Sequence, residues 1–220
     1  MNEKQMPVFQ DLVLESWLDP ADFRKGLLGA LEIPWKHAVP QEKVLTRAMP
    51  VQHNVIVFSR EKSDGIDACY LTLMLYEEGF KVTNIVPRDV RELGIERYNL
   101  ILADFLRSVV QRAAKEFNIR VILSEPTLSL STLVGEQAVP ALEAFLSGAN
   151  KGTGSAHPSD RRRWLEFLVT VHRQSKRPEG EAFERWLVEI EGWPSDTAEQ
   201  LVEELQFGLA LLAYQDHSAL

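Results

Sequence analysis

The stretch that decides the fold is "VIVFSREKSDGIDACYLTLMLYEEGFKVTNIVP", residues 55–87. Its first four residues are wholly apolar, as in a strand buried on both faces. A polar segment follows, and residues 66–78 carry apolar side chains at helical spacing up to Gly79, a residue that commonly ends helices. A second apolar run at 82–86 predicts the next strand. We therefore interpret the stretch as strand, helix and strand, the unit of a parallel sheet.

The same alternation continues along the chain. Residues 100–103 and 121–123 predict two further strands, with a helix at 106–117 between them. The predicted fold class is α/β: a three-layer Rossmann-like or flavodoxin-like domain with a short parallel sheet and right-handed crossovers. A helical N-terminal lead-in and a C-terminal helical module complete it. The predicted divisions are a lead-in at 1–50, the Rossmann-like domain at 51–147, a Gly/Ser-rich hinge at 148–158 and the helical module at 159–220.

Composition indicates an ordinary globular protein. Of the 220 residues, 45% are hydrophobic and 25% are charged. The lone cysteine, Cys69, excludes a disulfide framework, and in the middle of a predicted helix it is interpreted as an inert core thiol. The sequence shows no signal-peptide pattern and no long apolar run, so we expect a cytoplasmic protein without a membrane partner.

Charge separates two parts of the C-terminal region. The net charge of −8 argues against a general affinity for nucleic acid, since such binding depends on neutralising phosphates with basic side chains. Residues 151–177 carry seven basic and two acidic side chains, whereas residues 178–220 carry one basic and ten acidic side chains. We expect this asymmetry to reflect ion pairs between neighbouring helices.

Polar residues follow each predicted strand. In an open parallel sheet, ligands bind outside the carboxyl ends of the strands, so we expect these side chains to share one rim. Asp64 and Asp104 are the metal-ligand candidates within that rim. Solvated strand ends are also polar in proteins without a ligand, and this interpretation stays open. The ligand-binding candidates are Ser59, Arg60, Lys62, Ser63, Asp64, Asp104, Ser124 and Glu125.

Residues 54–126 resemble the DHH phosphoesterase superfamily, to which RecJ-like nucleases belong. "KSDGIDA" keeps Asp-Gly-Ile at 64–66, and "LILADF" places Asp104 at the next acidic motif. Where the superfamily has Asp-His-His, this chain has "SEP" at 124–126, and Lys62 stands in place of an acidic ligand. Two divalent ions need several carboxylate or imidazole ligands. The resemblance therefore implies that hydrolysis by the usual two-metal route is lost.

Two other families resemble the same stretch. "VIVFSR", "EEGFKV" and "YNLILAD" are similar to a two-component receiver domain, with Asp104 as the phosphoacceptor and Ser124 at the hydroxyl position. Ser59 and Arg60 replace the acidic pair that holds magnesium there, which implies a pseudo-receiver. "LMLYEEGFKV" also resembles the cobalamin-binding domain, but Asp64 stands near the position of its axial histidine.

The function predicted first is a non-catalytic binding or regulatory protein, built on a degenerate Rossmann-like domain and acting through a protein partner. Dinucleotide and P-loop fingerprints are absent, and we expect no cofactor. A homo-oligomer is left open, as is a sensor in which Arg60 and Lys62 hold a small anionic ligand. The enzymatic alternative is a metal-dependent phosphoesterase acting on nucleotides or nucleic acid, with an altered ligand set of Asp64, Asp67, Asp104 and Glu125.

Overall fold

The computed structural model describes residues 4–48, 54–77, 79–89, 91–174 and 177–218, and it divides the chain into two compact units. The sheet unit comprises residues 8–126. The helical unit combines the described residues up to Pro7 with those from Thr127 onward. None of the described helices has both the length and the apolar character needed to cross a membrane.

The elements alternate irregularly along the chain. The strands are β1 (Gln5–Pro7), β2 (Leu12–Glu15), β3 (Trp35–His37), β4 (Val55–Arg60), β5 (Cys69–Tyr76), β6 (Gly79–Pro87), β7 (Arg120–Leu123) and β8 (Thr127–Ser129). The helices are α1 (Pro20–Gly29), α2 (Val39–Ala48), α3 (Ile95–Phe105), α4 (Gln111–Phe117), α5 (Leu130–Val134), α6 (Val139–Gly148), α7 (Pro158–His172), α8 (Gly180–Arg185) and α9 (Ser195–Ser218). Single π-helical turns join α3 to α4 and extend α8.

The predicted parallel, Rossmann-like or flavodoxin-like sheet is wrong. The sheet unit contains a six-stranded sheet in the order β3-β4-β5-β6-β2-β7, and every neighbouring pair runs antiparallel. Residues 69–76 form a strand rather than a helix. Cys69, Leu71 and Leu73 are buried on one face, while Tyr70 and Met74 pack on the other, which is the two-residue period of a strand.

The polar segment after β4 is a tight β-turn. The backbones of Ser63 and Ile66 exchange two hydrogen bonds, of 3.3 and 2.8 Å. The two residues between them, Asp64 and Gly65, have φ angles of 51° and 75°. Two central residues with positive φ define a type I′ turn, for which Asp-Gly is a preferred pair. "SDGI" therefore reverses the chain so that β5 can lie antiparallel to β4.

The predicted helical lead-in is correct only in part: α1 and α2 lie within it, but β2 and β3 are strands of the sheet. Leu12 and Leu14 are fully buried, and β2 lies between β6 and β7. Conversely, residues 100–103, predicted as a strand, belong to α3. Ile101 and Leu102 are buried there with Phe105. A short apolar run does not distinguish a buried strand from a buried helix segment, which explains this error.

Helices cover the two faces of the sheet unequally. On one face, α1 and the continuous segment from α3 to α4 form the main core with β2, β4, β5 and β6. Phe23 of α1 stacks on Phe80 of β6 with ring centroids 4.4 Å apart. On the other face, Leu45 of α2 packs against a smaller cluster that includes Val55 and Val57. Arg60, in β4, points toward the main core.

The C-terminal region is helical, as predicted. Its core is aromatic: Trp164 of α7 contacts Phe145, Phe167 and Phe183 with centroid separations of 4.9–6.4 Å. The chain passes from the sheet unit to the helical unit between Pro126 and Thr127, whereas the hinge was predicted at 148–158. Residues 148–158 connect α6 to α7 within the helical unit. β1 pairs with β8 and so attaches the N-terminal segment to that unit.

Candidate functional site

The structure brings together only part of the predicted rim. Arg60, Ser63 and Asp104 meet, and Ser59 occupies the position before Arg60 in β4. Ser124 and Glu125 follow β7 at the opposite edge of the sheet. Four strand spacings separate β4 from β7, which is about 19 Å. The single rim expected of a parallel sheet does not exist.

The centre of the group is a buried ion pair. Arg60 and Asp104 are 1% and 4% exposed. The Nε atom of Arg60 donates to Asp104 Oδ2 at 2.8 Å, and the indole N–H of Trp35 donates to the same oxygen at 2.9 Å. Arg107, one helical turn beyond, donates to Asp104 Oδ1 at 2.6 Å. Both carboxylate oxygens are therefore occupied by protein donors.

The two Nη atoms of the Arg60 guanidinium hydrogen-bond to the polar segment between β4 and β5. Its Nη1 donates to the carbonyl oxygens of Glu61 at 2.9 Å and Ile66 at 3.0 Å, and Nη2 donates to Ser63 Oγ at 3.2 Å. This network ties the turn between β4 and β5 to α3 through Asp104. The arrangement is that of a structural brace, since a buried charge is tolerated when it is paired and fully hydrogen-bonded.

The electrostatics of Asp104 follow from this geometry. Burial by itself raises the pKa of the carboxyl, but the hydrogen bonds from Arg60, Trp35 and Arg107 and the positive charge of Arg60 outweigh it. The pKa of Asp104 is therefore below its ordinary value, and the carboxylate is ionised at neutral pH. A carboxylate held this way is a weak general base.

The other candidate residues of the polar segment lie at the surface. Asp64 occupies the exposed tip of the turn, and Lys62 is exposed beside it. Asp67, a ligand in the enzymatic alternative, is largely buried and pairs with Arg97 at 3.6 Å. Within the ranges described, no three His, Cys, Asp or Glu side chains are grouped so that they could hold a metal ion.

Cys69 lies in β5 rather than in a helix. Desolvation is the main reason that the pKa of its thiol is raised to about 12. Because thiolate is the reactive form, this side chain stays protonated and unreactive at neutral pH.

No protein-family model, curated protein or solved structure matches the chain. The comparisons therefore neither support nor contradict the three family resemblances.

Sequence reasoning missed an exposed apolar face of α9. On α9, Phe207, Leu211 and Tyr214 are 71%, 56% and 72% exposed. Their spacing of four and three residues places them on one face of the helix, and we call this set the α9 stripe. The signal was present in the sequence. Leu201, Leu205 and Leu209 form the buried face of α9, and the stripe residues lie outside that face.

The α9 stripe points away from the packed side of its own unit. Gly208 faces Leu168 of α7, and the Arg161 and Glu204 side chains pair at 3.3 Å along the same seam. His172 and Asp216 pair at 2.8 Å further along it. The contacts between α7 and α9 are thus made by residues flanking the stripe, and none of the three stripe side chains takes part in the described ring contacts.

A strongly exposed tryptophan lies in the sheet unit. Trp17, in the turn between β2 and α1, is 90% exposed. It lines a concavity of about 220 Å³ together with Asn118, Ile119 and Arg120, and also one of about 340 Å³ that reaches Leu75. The sequence pattern predicted a helical lead-in that includes Trp17, but this residue lies in the turn after β2.

Proposed function

We propose that this protein is a non-catalytic binding protein that acts through protein–protein contacts, with the α9 stripe as its contact surface. The observation that carries the proposal is the exposure of Phe207, Leu211 and Tyr214 together on one face of the longest described helix. Single exposed apolar residues are normal, whereas a continuous aromatic and aliphatic patch is typical of a binding surface.

The chemistry of the stripe suits a partner with an apolar groove or helix face. Aromatic side chains dominate interface energetics, and tyrosine adds a hydroxyl that can bond at the rim. Removing each large side chain from water contributes roughly 1.5–3 kcal/mol before the costs of association are subtracted. The three residues have the i, i+4, i+7 spacing of anchors in helix-mediated recognition.

The buried ion pair between Arg60 and Asp104 also supports the proposal, because its groups are already occupied by protein partners. Arg60 uses its guanidinium on Asp104 and on the turn, so it has little left for an anionic ligand. Asp104 accepts three hydrogen bonds from protein donors. These residues contribute to the fold, and we assign the binding function to the surface.

A photo-crosslinking experiment tests the proposal. The photoreactive residue p-benzoylphenylalanine replaces Phe207 in one protein and Ile33, an 89% exposed residue of the sheet unit, in a control. In extracts of the source cells, we expect one discrete crosslinked species from position 207 and none of that mass from position 33.

A substitution pair establishes that the contact is specific. Leu211→Asp, added to the crosslinker at 207, is expected to abolish the species because it places a charge in the stripe. Leu165→Asp is the matched control, since Leu165 is 50% exposed on α7. Both substitutions should leave the free energy of unfolding within about 0.5 kcal/mol of the parent. Equal crosslinking in both variants would contradict the proposal.

A further inference from the structure

The outward backbone groups near the two edges of the six-stranded sheet differ in their hydrogen-bond partners. At the β3 edge, β4 continues past the end of β3, and side chains satisfy its outward backbone groups. Arg24 donates to the carbonyl oxygen of Val55 at 3.0 Å, and the N–H of Val57 donates to Glu42 at 3.2 Å. The carbonyl oxygen of Val57 accepts from the N–H of Ala38 at 2.8 Å. These contacts close the part of β4 that β3 does not cover.

The opposite edge, β7, is open. The N–H of Ser124 donates to the carbonyl oxygen of Asp11 at 3.0 Å, which makes Ser124 and Asp11 a hydrogen-bonded position of the antiparallel ladder. Such positions alternate, so Ile122 bonds β2 whereas the N–H and C=O groups of Val121 and Leu123 point away from it. Across the described ranges, these four outward groups have no hydrogen-bond partner outside the ladder.

Apart from its short length and the charge of Arg120, β7 lacks the features that usually protect an edge strand. "RVIL" contains no proline, lysine or bulge, and Ile122 and Leu123 are each 37% exposed. An apolar edge strand with free backbone groups is a template for pairing with another strand. The outward groups occur at positions 121 and 123, which are placed symmetrically about Ile122.

We propose that β7 pairs antiparallel with β7 of a second copy of this chain, about a two-fold axis at Ile122. Val121 of each copy then lies opposite Leu123 of the other and exchanges two hydrogen bonds with it, so all four outward groups of each copy are satisfied. The two sheets become one continuous sheet. A two-fold contact is self-complementary and closes on itself, which gives a dimer and no fibre.

The symmetry of the outward groups favours a second copy as the occupant, since one β7 strand then presents to another the four backbone groups that match its own. In this register Arg120, whose side chain pairs with Glu15 of its own chain at 3.0 Å and is 75% exposed, lies opposite Ser124 of the second copy. The second copy's residues 124–126 continue past Asn118 and Arg120, along the concavity beside Trp17. The contact buries part of the most exposed tryptophan of the sheet unit.

Disulfide trapping tests the register. Ile122→Cys places two thiols at a non-hydrogen-bonded position, where the Cα atoms of paired strands are about 4.5 Å apart. Arg120→Cys is the matched control on the same strand: its two copies are separated by about four residues, or roughly 14 Å. Cys69 is buried and does not interfere. We expect Ile122→Cys to form a covalent dimer at least about tenfold faster, since a disulfide requires Cα atoms within about 7 Å.

Sedimentation of the full chain tests the hydrogen bonds. At rising concentration the wild-type protein should approach about twice its chain mass of 25.0 kDa. Leu123→Pro removes an outward N–H, which an edge strand tolerates, and should remain a monomer with an unchanged circular dichroism spectrum. Leu123→Ala keeps the N–H and should still dimerise. A wild-type monomer at all concentrations, or equal rates of disulfide formation by Arg120→Cys and Ile122→Cys, would overturn the proposal. The proposal does not depend on the α9 stripe.

Discussion

At the scale of single residues, the interpretation depends on Arg60 and Asp104. The pair is almost fully buried, and a buried ion pair is favourable only while both charges remain paired. Together with Arg60, Trp35 and Arg107 donate to the carboxylate, so both oxygens of Asp104 already accept hydrogen bonds from protein groups.

Asp104→Leu should lower the free energy of unfolding by about 3–5 kcal/mol, because it leaves the buried guanidinium of Arg60 without its carboxylate. The double variant Arg60→Met/Asp104→Leu should recover most of that loss, since no unpaired charge remains. Urea denaturation of the wild type, both single variants and the double variant measures the coupling. A single Asp104→Leu variant as stable as the wild type would show that the pair is not a brace.

The pH dependence of stability provides a second test. The pKa of Asp104 is lower in the folded protein than its ordinary value, so the unfolded chain binds the proton at higher pH. Its contribution to stability is complete above the unfolded pKa of about 3.9 and is lost as pH falls through the lower folded pKa. The comparison is between the wild type and the Arg60→Met/Asp104→Leu variant. Glu42, whose pKa is also lowered, is present in both. The variant should therefore lose less of its free energy of unfolding than the wild type as pH falls from neutral to acid.

Sequence alone could select Arg60 and Asp104 as polar residues in apolar surroundings, but it could not pair them. They are 44 positions apart and lie on a strand and a helix. The predicted partners Ser124 and Glu125 depended on parallel strands ending at one rim. β4 and β7 run in the same direction, but β5, β6 and β2 lie between them, so about four strand spacings, roughly 19 Å, separate the two strand ends.

At the scale of elements, the antiparallel sheet depends on two chain reversals within residues 55–87, one between β4 and β5 and one between β5 and β6. The Asp-Gly pair at 64–65 is a hairpin signal, and it outweighs the helical spacing that follows it. Residues 66–78 fit both periods: Ile66, Tyr70 and Leu73 match a helix face, whereas Cys69, Leu71 and Leu73 alternate. Long-range pairing with β4 and β6 selects the strand, and no local pattern contains that information.

Gly79 has a role different from the predicted helix stop. It opens β6 opposite Glu15 of β2, and a Cβ atom there would overlap the backbone carbonyl oxygen of Leu14. Gly79→Ala should therefore destabilise the protein by more than about 2 kcal/mol, because the obstructing atom belongs to a backbone that cannot move freely. Gly94→Ala is the matched control, since a Cβ at Gly94 meets nothing within 4 Å. Thermal unfolding of both variants measures the difference, and equal midpoints would contradict this account of β6.

At the scale of the whole molecule, the predictions succeeded where local signals were strong. The C-terminal helices have clear apolar faces and were found. The charge asymmetry predicted pairing between neighbouring helices, and the Arg161–Glu204 pair between α7 and α9 confirms it at one place. The N-terminal residues were misassigned because β2 is only four residues long and gains its stability from strands far away in sequence.

The central claim is that binding belongs to the α9 stripe and that the residues of the predicted site support the fold. The most direct measurement is the yield of the crosslinked species from p-benzoylphenylalanine at position 207 in three backgrounds: the otherwise unchanged chain, Arg60→Met/Asp104→Leu, and Leu211→Asp. The account predicts equal yields in the first two and loss of the species in the third. Loss in the Arg60→Met/Asp104→Leu background with a native circular dichroism spectrum, or persistence in Leu211→Asp, would contradict it.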